Sequence, residues 1–257
     1  MNQVAAVVMA AGKGVRMKSE LPKVLVEFKN RPMVEYVLDA LAFGGVDKTV
    51  VVVGYKSELV ESTLCAHNAS SGKSPERWPG LTFALQTTQR GTADAVQCAF
   101  DALKDFSGPV VVLAGDQPLT SGKTIAKMLQ VWKENPVACL IGTVERENPF
   151  GFGRIIRDPA GNFTGIVEEK DATPEQKLIR EVNVSYYVFN AADLWAAIKE
   201  VKPNNAQGEY YLTDCPAALI KAGKTVRAEI LLLPQESYSI NTKEQLEEAE
   251  KLVKSEE

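Results

Sequence analysis

The chain has 257 residues, of which 24% are charged and 45% are apolar, and its formal net charge is -4. This size favours one α/β unit, and the net negative charge argues against a nucleic-acid-binding or membrane-surface protein. The four cysteines lie far apart and form no C-x-x-C pair, which is typical of a reducing compartment. The N-terminal apolar run is short and no basic residue precedes it. We therefore expect a buried strand, no signal peptide, no membrane partner and a cytoplasmic protein.

Strand-like and helix-like segments alternate through the first 145 residues. Continuous apolar runs predict buried strands at 3–9, 48–54, 81–86, 109–116 and 137–144. Helical periodicity follows Pro32 and recurs over 57–66, over 92–103 and after residue 121. This alternation predicts a doubly wound parallel sheet with right-handed crossovers.

The pattern changes after residue 145. The sequence predicts a hairpin around residues 159–161, a strand over 183–190 and helices over 191–200 and 213–222. We interpret this half as an antiparallel edge layer built onto the first sheet. The whole predicts a single domain over 1–240, divided at residue 145, and an amphipathic C-terminal helix over 241–257.

A glycine turn, "AAGKGVRM", follows the first predicted strand. A Rossmann fingerprint requires a third glycine three residues after Gly14, and Met17 stands there. A Walker A loop requires a glycine before the Lys18-Ser19 pair, and Met17 again occupies that position. Neither familiar phosphate motif is present.

The chemistry of the turn still favours phosphate. Glycine amides beyond a parallel strand form an anion cradle, and four cations surround it: Lys13, Arg16, Lys18 and Lys23. The alternative is a solvated basic turn whose glycines serve only its geometry. The concentration of cations at a strand's carboxyl end favours the phosphate interpretation.

Two further strands end in polar residues. Gln86 offers a donor and an acceptor, which suits the imide edge of uracil. The alternative is that Gln86 only ends a polar strand and that Thr92 caps the next helix. Asp116 ends the strongest strand, where a carboxylate either ligates Mg²⁺ or caps the next turn. Asn241 precedes the last helix and, taken alone, reads as its N-cap.

"AAGKGVRM" followed by "LPKVL" resembles the signature of the sugar-phosphate nucleotidyltransferases, and Lys23 lies eleven residues beyond Gly12 as in that family. These enzymes condense a nucleoside triphosphate with a sugar 1-phosphate and release pyrophosphate. The likeness is strongest to the uridylyltransferase domains of bacterial bifunctional UDP-N-acetylglucosamine pyrophosphorylases and runs from residue 4 to about 250. It implies an α/β, Rossmann-like doubly wound mixed sheet of the nucleotide-diphospho-sugar transferase type. Residues 1–145 would form its nucleotide-binding half and 146–240 its sugar-binding half.

The resemblance also implies a role for individual residues. Catalysis is assigned to Arg16 and Lys23, and Mg²⁺ binding to Asp116 and Asn241. The nucleotide would be bound by Ala10, Ala11, Gly12, Gly14, Gln86, Gly91 and Thr92. The sugar would be bound by Gly153, Glu168 and Asn183. For Glu168, the segment "EEKD" also reads as a solvated charge run.

The chain departs from the family pattern in places. Ala114 and Gln117 stand where the family more often has tyrosine and valine. Val184-Ser185 replaces the common Thr-Gly, so Ser185 adds a side chain in or near the sugar pocket. The hexapeptide repeats of the bifunctional enzymes are not found here, so we expect no acetyltransferase activity. The oligomeric state, and whether the chain is a natural single-domain protein or a fragment, stay open.

The resulting hypothesis is a Mg²⁺-dependent enzyme whose partners are UTP and N-acetylglucosamine 1-phosphate, and whose products are UDP-N-acetylglucosamine and pyrophosphate. One alternative is the same chemistry on another sugar 1-phosphate or nucleotide. The other is a non-catalytic subunit that binds sugar nucleotides.

Overall fold

The computed structural model describes residues 3–17, 19–69 and 77–254, with side chains described through residue 252. Its strands are β1 (Ala5–Met9), β2 (Glu27–Phe28), β3 (Arg31–Pro32), β4 (Lys48–Val53), β5 (Leu81–Leu85), β6 (Pro109–Ala114), β7 (Cys139–Glu145), β8 (Gly153–Arg157), β9 (Phe163–Val167), β10 (Glu181–Asn190) and β11 (Val226–Ile230). Its helices are α1 (Met33–Phe43), α2 (Ser57–Ala69), α3 (Thr92–Cys98), α4 (Phe100–Leu103), α5 (Gly122–Glu134), α6 (Ala191–Glu200), α7 (Cys215–Lys221) and α8 (Lys243–Lys254). Short 3-10 turns also occur. The sequence patterns did not predict the β2–β3 ribbon or β11.

The central sheet runs in the order β11-β7-β10-β6-β1-β4-β5. Strands β6, β1, β4 and β5 are parallel neighbours, and the β8–β9 hairpin extends antiparallel from β10. The mixed α/β fold class predicted from the sequence is therefore confirmed.

One detail of the predicted layout is wrong. Strand β10 does not lie at an edge but is inserted between β6 and β7, antiparallel to both. Its four consecutive residues 186–189 are all fully buried. A strand that is apolar on both faces requires cover on both faces, and the sheet interior provides it.

Helices cover both faces of the sheet. In β1, Ala5 and Val7 belong to one hydrophobic cluster and Ala6 and Val8 to another, as the two-residue period of a strand requires. Side chains of α3, α6 and α7 complete the first cluster, and those of α1, α2 and α5 complete the second. In the part of the chain that the structure describes, none of the helices has the length and apolar character needed to span a bilayer.

A third, smaller cluster joins the two ends of the chain. Met17, which follows the glycine turn, packs with Ile240 before α8 and with Ala249 in α8. Phe28 and Met33 complete the cluster. Met17 is 2% exposed. The residue that breaks both familiar phosphate motifs is thus a core side chain that anchors the glycine turn.

Candidate active site

The glycine turn leaves the carboxyl end of β1 and is held by backbone contacts. Ala10 N donates to Val52 O at 2.8 Å, and Ala11 O accepts from Tyr55 N at 3.1 Å. Ala11 O also accepts from the side-chain Nε2 of Gln89 at 2.9 Å. The carbonyl of Ala11 is therefore committed to the fold, and Gln89 joins the predicted base-binding segment to the turn.

The two glycines of the turn have different surroundings. A Cβ added to Gly12 would meet no heavy atom of the described residues within 4 Å, so the backbone there faces open space among them. Gly14 has φ +65°, and a Cβ on it would lie 2.6 Å from Lys23 Cβ. Glycine at position 14 therefore lets the turn pass closely against the segment that carries Lys23. Lys18, one of the predicted cations, lies outside the described residues.

Four residues predicted from the sequence meet at this edge of the sheet. Lys23 Nζ donates to Asp116 Oδ2, and it donates to Asn241 Oδ1 at 2.6 Å. Arg16 Nη2 donates to the same Asn241 oxygen at 2.8 Å. Two cations, a carboxylate and an amide thus converge from three separate segments of the chain.

The hydrogen bonds around Asp116 are unevenly distributed. Its Oδ2 also accepts from Ser239 Oγ at 3.0 Å. Its Oδ1 is buried and has no hydrogen-bond partner among the described residues. A buried carboxylate oxygen without a partner is unfavourable unless a cation or donor reaches it.

These oxygens fit a hard divalent cation. Mg²⁺ is bound by one or two protein oxygens and completes its coordination with phosphate oxygens and water, and the orphaned Oδ1 of Asp116 with Asn241 Oδ1 offers such a pair. Within residues 3–17, 19–69 and 77–254, no group of three or more His, Cys, Asp or Glu is arranged to hold a metal ion. An ion on both oxygens would compete with the ammonium of Lys23, which bonds to both residues here.

The predicted base-binding segment lies beyond β5. Gln86 is 4% exposed, and its Nε2 donates to Asp94 Oδ2 at 2.7 Å and to Gly91 O at 3.3 Å. The expectation that Gln86 presents a donor and an acceptor to a base is therefore corrected. Its amide hydrogens are used within the protein, and Oε1 remains as an acceptor.

Gly91 and Thr92 join the two halves of the chain. Gly91 has φ +127°, and a Cβ there would lie 2.4 Å from Tyr210 O. Thr92 Oγ1 accepts from Leu212 N at 2.8 Å. The bond to Thr92 holds the start of α3 against the segment before α7, and the missing side chain of Gly91 allows this close approach. The hydroxyl oxygen of Thr92 therefore has a structural partner.

The three predicted sugar-binding residues lie together. Gly153 pairs with Asn183 across β8 and β10. A Cβ on Gly153 would lie 3.5 Å from each Glu168 carboxylate oxygen. The structure thus brings residues from β8, from the end of β9 and from β10 to one place.

Glu168 is not part of a solvated charge run. It is half-buried, and its Oε1 accepts from Thr213 Oγ1 at 3.0 Å. Burial raises the pKa of the Glu168 carboxyl above its usual value, and the bond from Thr213 opposes that rise. The neighbouring Glu169 is bonded to Arg154. Lys170 donates to Gln207 and Asp171 accepts from Ala206 N, so all four residues of the "EEKD" segment have partners within the protein.

Asn183 lies at an irregularity in β10. The pairing of β10 with β7 shifts register between Asn183 and Tyr186, as at a β-bulge. Within it, Ser185 adopts φ +64° and its N donates to Asn183 Oδ1 at 3.2 Å. Ser185, which departs from the family pattern, therefore holds a left-handed conformation that usually falls to glycine.

Sequence reasoning missed three residues that contact the site. They are Gln89, Thr213 and Ser239. Gln89 lies between Gln86 and Gly91, which were already assigned to the nucleotide, so its signal was position within that segment. Thr213 is the first residue of a predicted helix and carried no such signal. Ser239 could have been suspected only from its place two residues before Asn241.

The fold and the site define a class of protein, the nucleotidyltransferases. Residues 5–231 match the family described as "Nucleotidyl transferase", and the chain belongs to this family.

Individual relatives narrow the comparison. The chain is 45% identical over 252 residues to the bifunctional protein GlmU of Pelotomaculum thermopropionicum, covering 98% of this chain and 52% of that protein. It is 41% identical over 253 residues to GlmU of Syntrophotalea carbinolica, with the same two coverages. The chain therefore spans about half the length of the curated relatives it matches. A crystal structure of UDP-glucose pyrophosphorylase complexed with UDP-glucose superposes with a TM-score of 0.79 at 15% identity, covering 100% of both chains, which shows a shared fold.

Proposed function

We propose that the protein is a Mg²⁺-dependent uridylyltransferase that converts UTP and N-acetylglucosamine 1-phosphate into UDP-N-acetylglucosamine and pyrophosphate. One observation carries the proposal. Arg16, Lys23, Asp116 and Asn241 converge beside a glycine turn in a chain about 40–45% identical to GlmU proteins. We also propose that this segment carries no acetyltransferase activity. A cytoplasmic location is part of the same proposal and is supported by the four cysteines, which are all free.

The reaction needs charge and alignment more than acid–base chemistry. An oxygen of the sugar phosphate attacks the α-phosphorus of UTP in line, and the bond from the α-phosphorus to the bridging oxygen breaks to release pyrophosphate. A phosphate monoester is largely dianionic at neutral pH, so it needs no general base. Lys23 and Arg16 would offset the negative charge that accumulates on the phosphates, which is the main contribution of protein groups in such transfers.

Asp116 and Asn241 would hold Mg²⁺, which would supply further neutralisation of phosphate charge when bound. Ser239 and Ile240 keep these two residues in place. Ser239 Oγ donates to Asp116, and Ile240 N donates to Asp116 O at 3.0 Å. Asn241 Nδ2 donates to Ser239 O at 2.9 Å, which directs its Oδ1 toward the two cations.

The nucleotide assignment rests on Gln86. With both amide hydrogens bonded inside the protein, its Oε1 is an acceptor suited to the N3–H donor of uracil. Cytosine has an unprotonated N3 in that place and could offer only its exocyclic amine. CTP is therefore the informative competitor.

The sugar assignment rests on Glu168 and Asn183. The partly buried Glu168 carboxylate would accept hydrogen bonds from sugar hydroxyls. Asn183 Oδ1 is bonded to Ser185 N, so its Nδ2 is the group that would donate to the carbonyl of an N-acetyl substituent. Polar readers of this kind discriminate strongly because the wrong sugar leaves them unpaired.

A pyrophosphate-release assay tests the proposal. Each of UTP, CTP and dTTP would be paired with glucose 1-phosphate, N-acetylglucosamine 1-phosphate and N-acetylgalactosamine 1-phosphate in the presence of Mg²⁺. We expect the highest kcat/KM for UTP with N-acetylglucosamine 1-phosphate. Preference for another nucleotide or sugar would contradict the substrate assignment, and tight UDP-sugar binding without turnover would favour a non-catalytic subunit.

A further inference from the structure

Gln117 connects the proposed metal side of the site to the proposed sugar side. It follows Asp116 directly and is 2% exposed. Its Nε2 donates to Val184 O, 67 residues away in the chain, at 2.8 Å. Val184 lies in the β10 bulge between Asn183 and Ser185, so this bond crosses from the end of β6 to the sugar-reading segment.

The peptide between Val184 and Ser185 is held at both of its polar atoms. Its carbonyl accepts from Gln117 Nε2, and its N–H, which belongs to Ser185, donates to Asn183 Oδ1. Rotation of this peptide would move Ser185 out of the left-handed region, which L-residues disfavour. It would also carry the N–H away from Asn183. The bond from Gln117 opposes this rotation.

We propose that Gln117 is a positioning residue for the sugar side of the site. It holds the Val184–Ser185 peptide, and that peptide fixes the amide of Asn183 with Nδ2 available to the N-acetyl group. This inference rests on the proposed function, because it assumes that Asn183 reads the sugar.

The fold uses only one half of the Gln117 amide. Gln117 Oε1 is buried, and among the described residues it has no hydrogen-bond partner. A buried acceptor without a partner is destabilising. The donor half of the amide is therefore the part that the structure uses, and its hydrogen-bond partner is the bulge carbonyl.

The first test is Gln117→Met, which keeps an unbranched side chain of similar length and removes the amide. We expect KM for N-acetylglucosamine 1-phosphate to rise about tenfold, as for the loss of one hydrogen bond, and KM for UTP to change less than about twofold. The ratio of kcat/KM for N-acetylglucosamine 1-phosphate to that for glucose 1-phosphate should fall. Thr124→Val is the matched control, since it removes another buried hydrogen bond, from Thr124 Oγ1 to Glu236 Oε2 at 2.9 Å, outside the bulge. It should lower Tm and leave the KM for the sugar phosphate unchanged.

The second test is rescue by Ser185→Gly. Glycine adopts positive φ without strain, so the bulge should keep its conformation even when the amide of Gln117 is absent. In the Ser185→Gly background, Gln117→Met should therefore raise KM for the sugar phosphate by less than about threefold. An equal rise in both backgrounds, or an equal rise in KM for UTP, would overturn the proposal.

The two proposals fail in different ways. If the unaltered protein releases no pyrophosphate with any sugar phosphate, the proposed function is wrong. The Gln117–Ser185 coupling is still measurable as a smaller loss of Tm for Gln117→Met in the Ser185→Gly background. If turnover is present and this coupling is zero in both KM and Tm, only the role of Gln117 is wrong. If Gln117→Met alone does not fold but the Gln117→Met/Ser185→Gly double variant does, the positioning role of Gln117 is supported. If neither variant folds, that role is contradicted.

Discussion

Lys23 and Asn241 lie 218 positions apart in the chain, and Lys23 Nζ donates to Asn241 Oδ1 at 2.6 Å. The same ammonium is bonded to Asp116 at the end of β6. The site is therefore closed by the segment before α8, which packs on Met17 through Ile240. Changes in this C-terminal segment should act on the chemistry as directly as changes in the glycine turn.

Removal of the Lys23 ammonium should slow the reaction more than it weakens binding. For Lys23→Met we expect kcat to fall by about two to three orders of magnitude, because a fixed charge aimed at the transferring phosphate is lost. Steady-state pyrophosphate release measures this effect. Lys127→Met, on an exposed position of α5, is the control for the loss of one surface lysine and should retain full activity. A Lys23→Met enzyme with an unchanged kcat would contradict the assignment.

The metal proposal predicts a changed requirement for Mg²⁺ in Asp116→Asn. The variant keeps the shape of the side chain and removes its charge, so half-maximal activity should require a Mg²⁺ concentration at least about tenfold higher. Direct titration of Mg²⁺ binding by calorimetry, in the presence of UTP, gives a second readout. Ser239→Ala removes only the hydroxyl bond to Asp116 Oδ2 and should show a smaller shift. Equal Mg²⁺ requirements in all three proteins would place the metal elsewhere.

Gly12 and Gly14 provide a matched pair of substitutions. Gly14→Ala forces a side chain onto a residue at φ +65° and against Lys23, so it should destabilise the fold by at least about 1 kcal/mol and reduce kcat. The Cβ of Gly12→Ala would meet no atom within 4 Å in the part of the chain that the structure describes, so the stability of this variant should be unchanged. Its methyl group would instead crowd the proposed nucleotide, and KM for UTP should rise. Urea unfolding and the KM for UTP separate the two effects. A destabilised Gly12→Ala, with Gly14→Ala unaffected, would contradict this geometry.

Glu168 should make sugar binding sensitive to acid. Burial raises the pKa of its carboxyl, so it takes up a proton at a pH where an exposed glutamate is still ionised. KM for the sugar phosphate should therefore rise as the pH falls through this raised pKa. Glu168→Gln should have a higher KM that no longer varies in this range. A KM that follows the same pH profile in both proteins would assign the titration to another group.

A fall in pH that weakens sugar binding through Glu168 should increase the stability of the fold. The unfolded chain loses the Glu168 proton at a lower pH than the native chain does. The ionised group therefore reduces stability above the raised pKa, and that reduction disappears as the pH falls below the usual glutamate value. Glu168→Gln should be stabilising at neutral pH and neutral in effect near pH 3. Thermal unfolding at the two pH values measures the difference.

Much of the fold was predictable because its signals are local. The alternation of Ala5, Ala6, Val7 and Val8 between two clusters follows from strand period alone, and the helices after Pro32 and around Ile125 follow from helical period. The carboxyl ends of parallel strands meet at one edge of a sheet, so the closeness of the turn after β1 and Asp116 after β6 follows from the predicted parallel topology. The family resemblance added the assignment of Asn241.

Other features depended on how distant segments pair, which no local pattern contains. Three features depend on neighbours far apart in sequence or on side-chain direction. They are the interior position of β10, the hydrogen bonds from the Gln86 amide to Asp94 and Gly91, and the packing of Met17 under α8. The sequence by itself determined the strand and helix segments, the basic glycine turn and the class of chemistry. Only the tertiary structure decided which polar atoms remain free for a ligand, because each hydrogen-bonding atom is committed or left open by contacts that strand register and helix packing create.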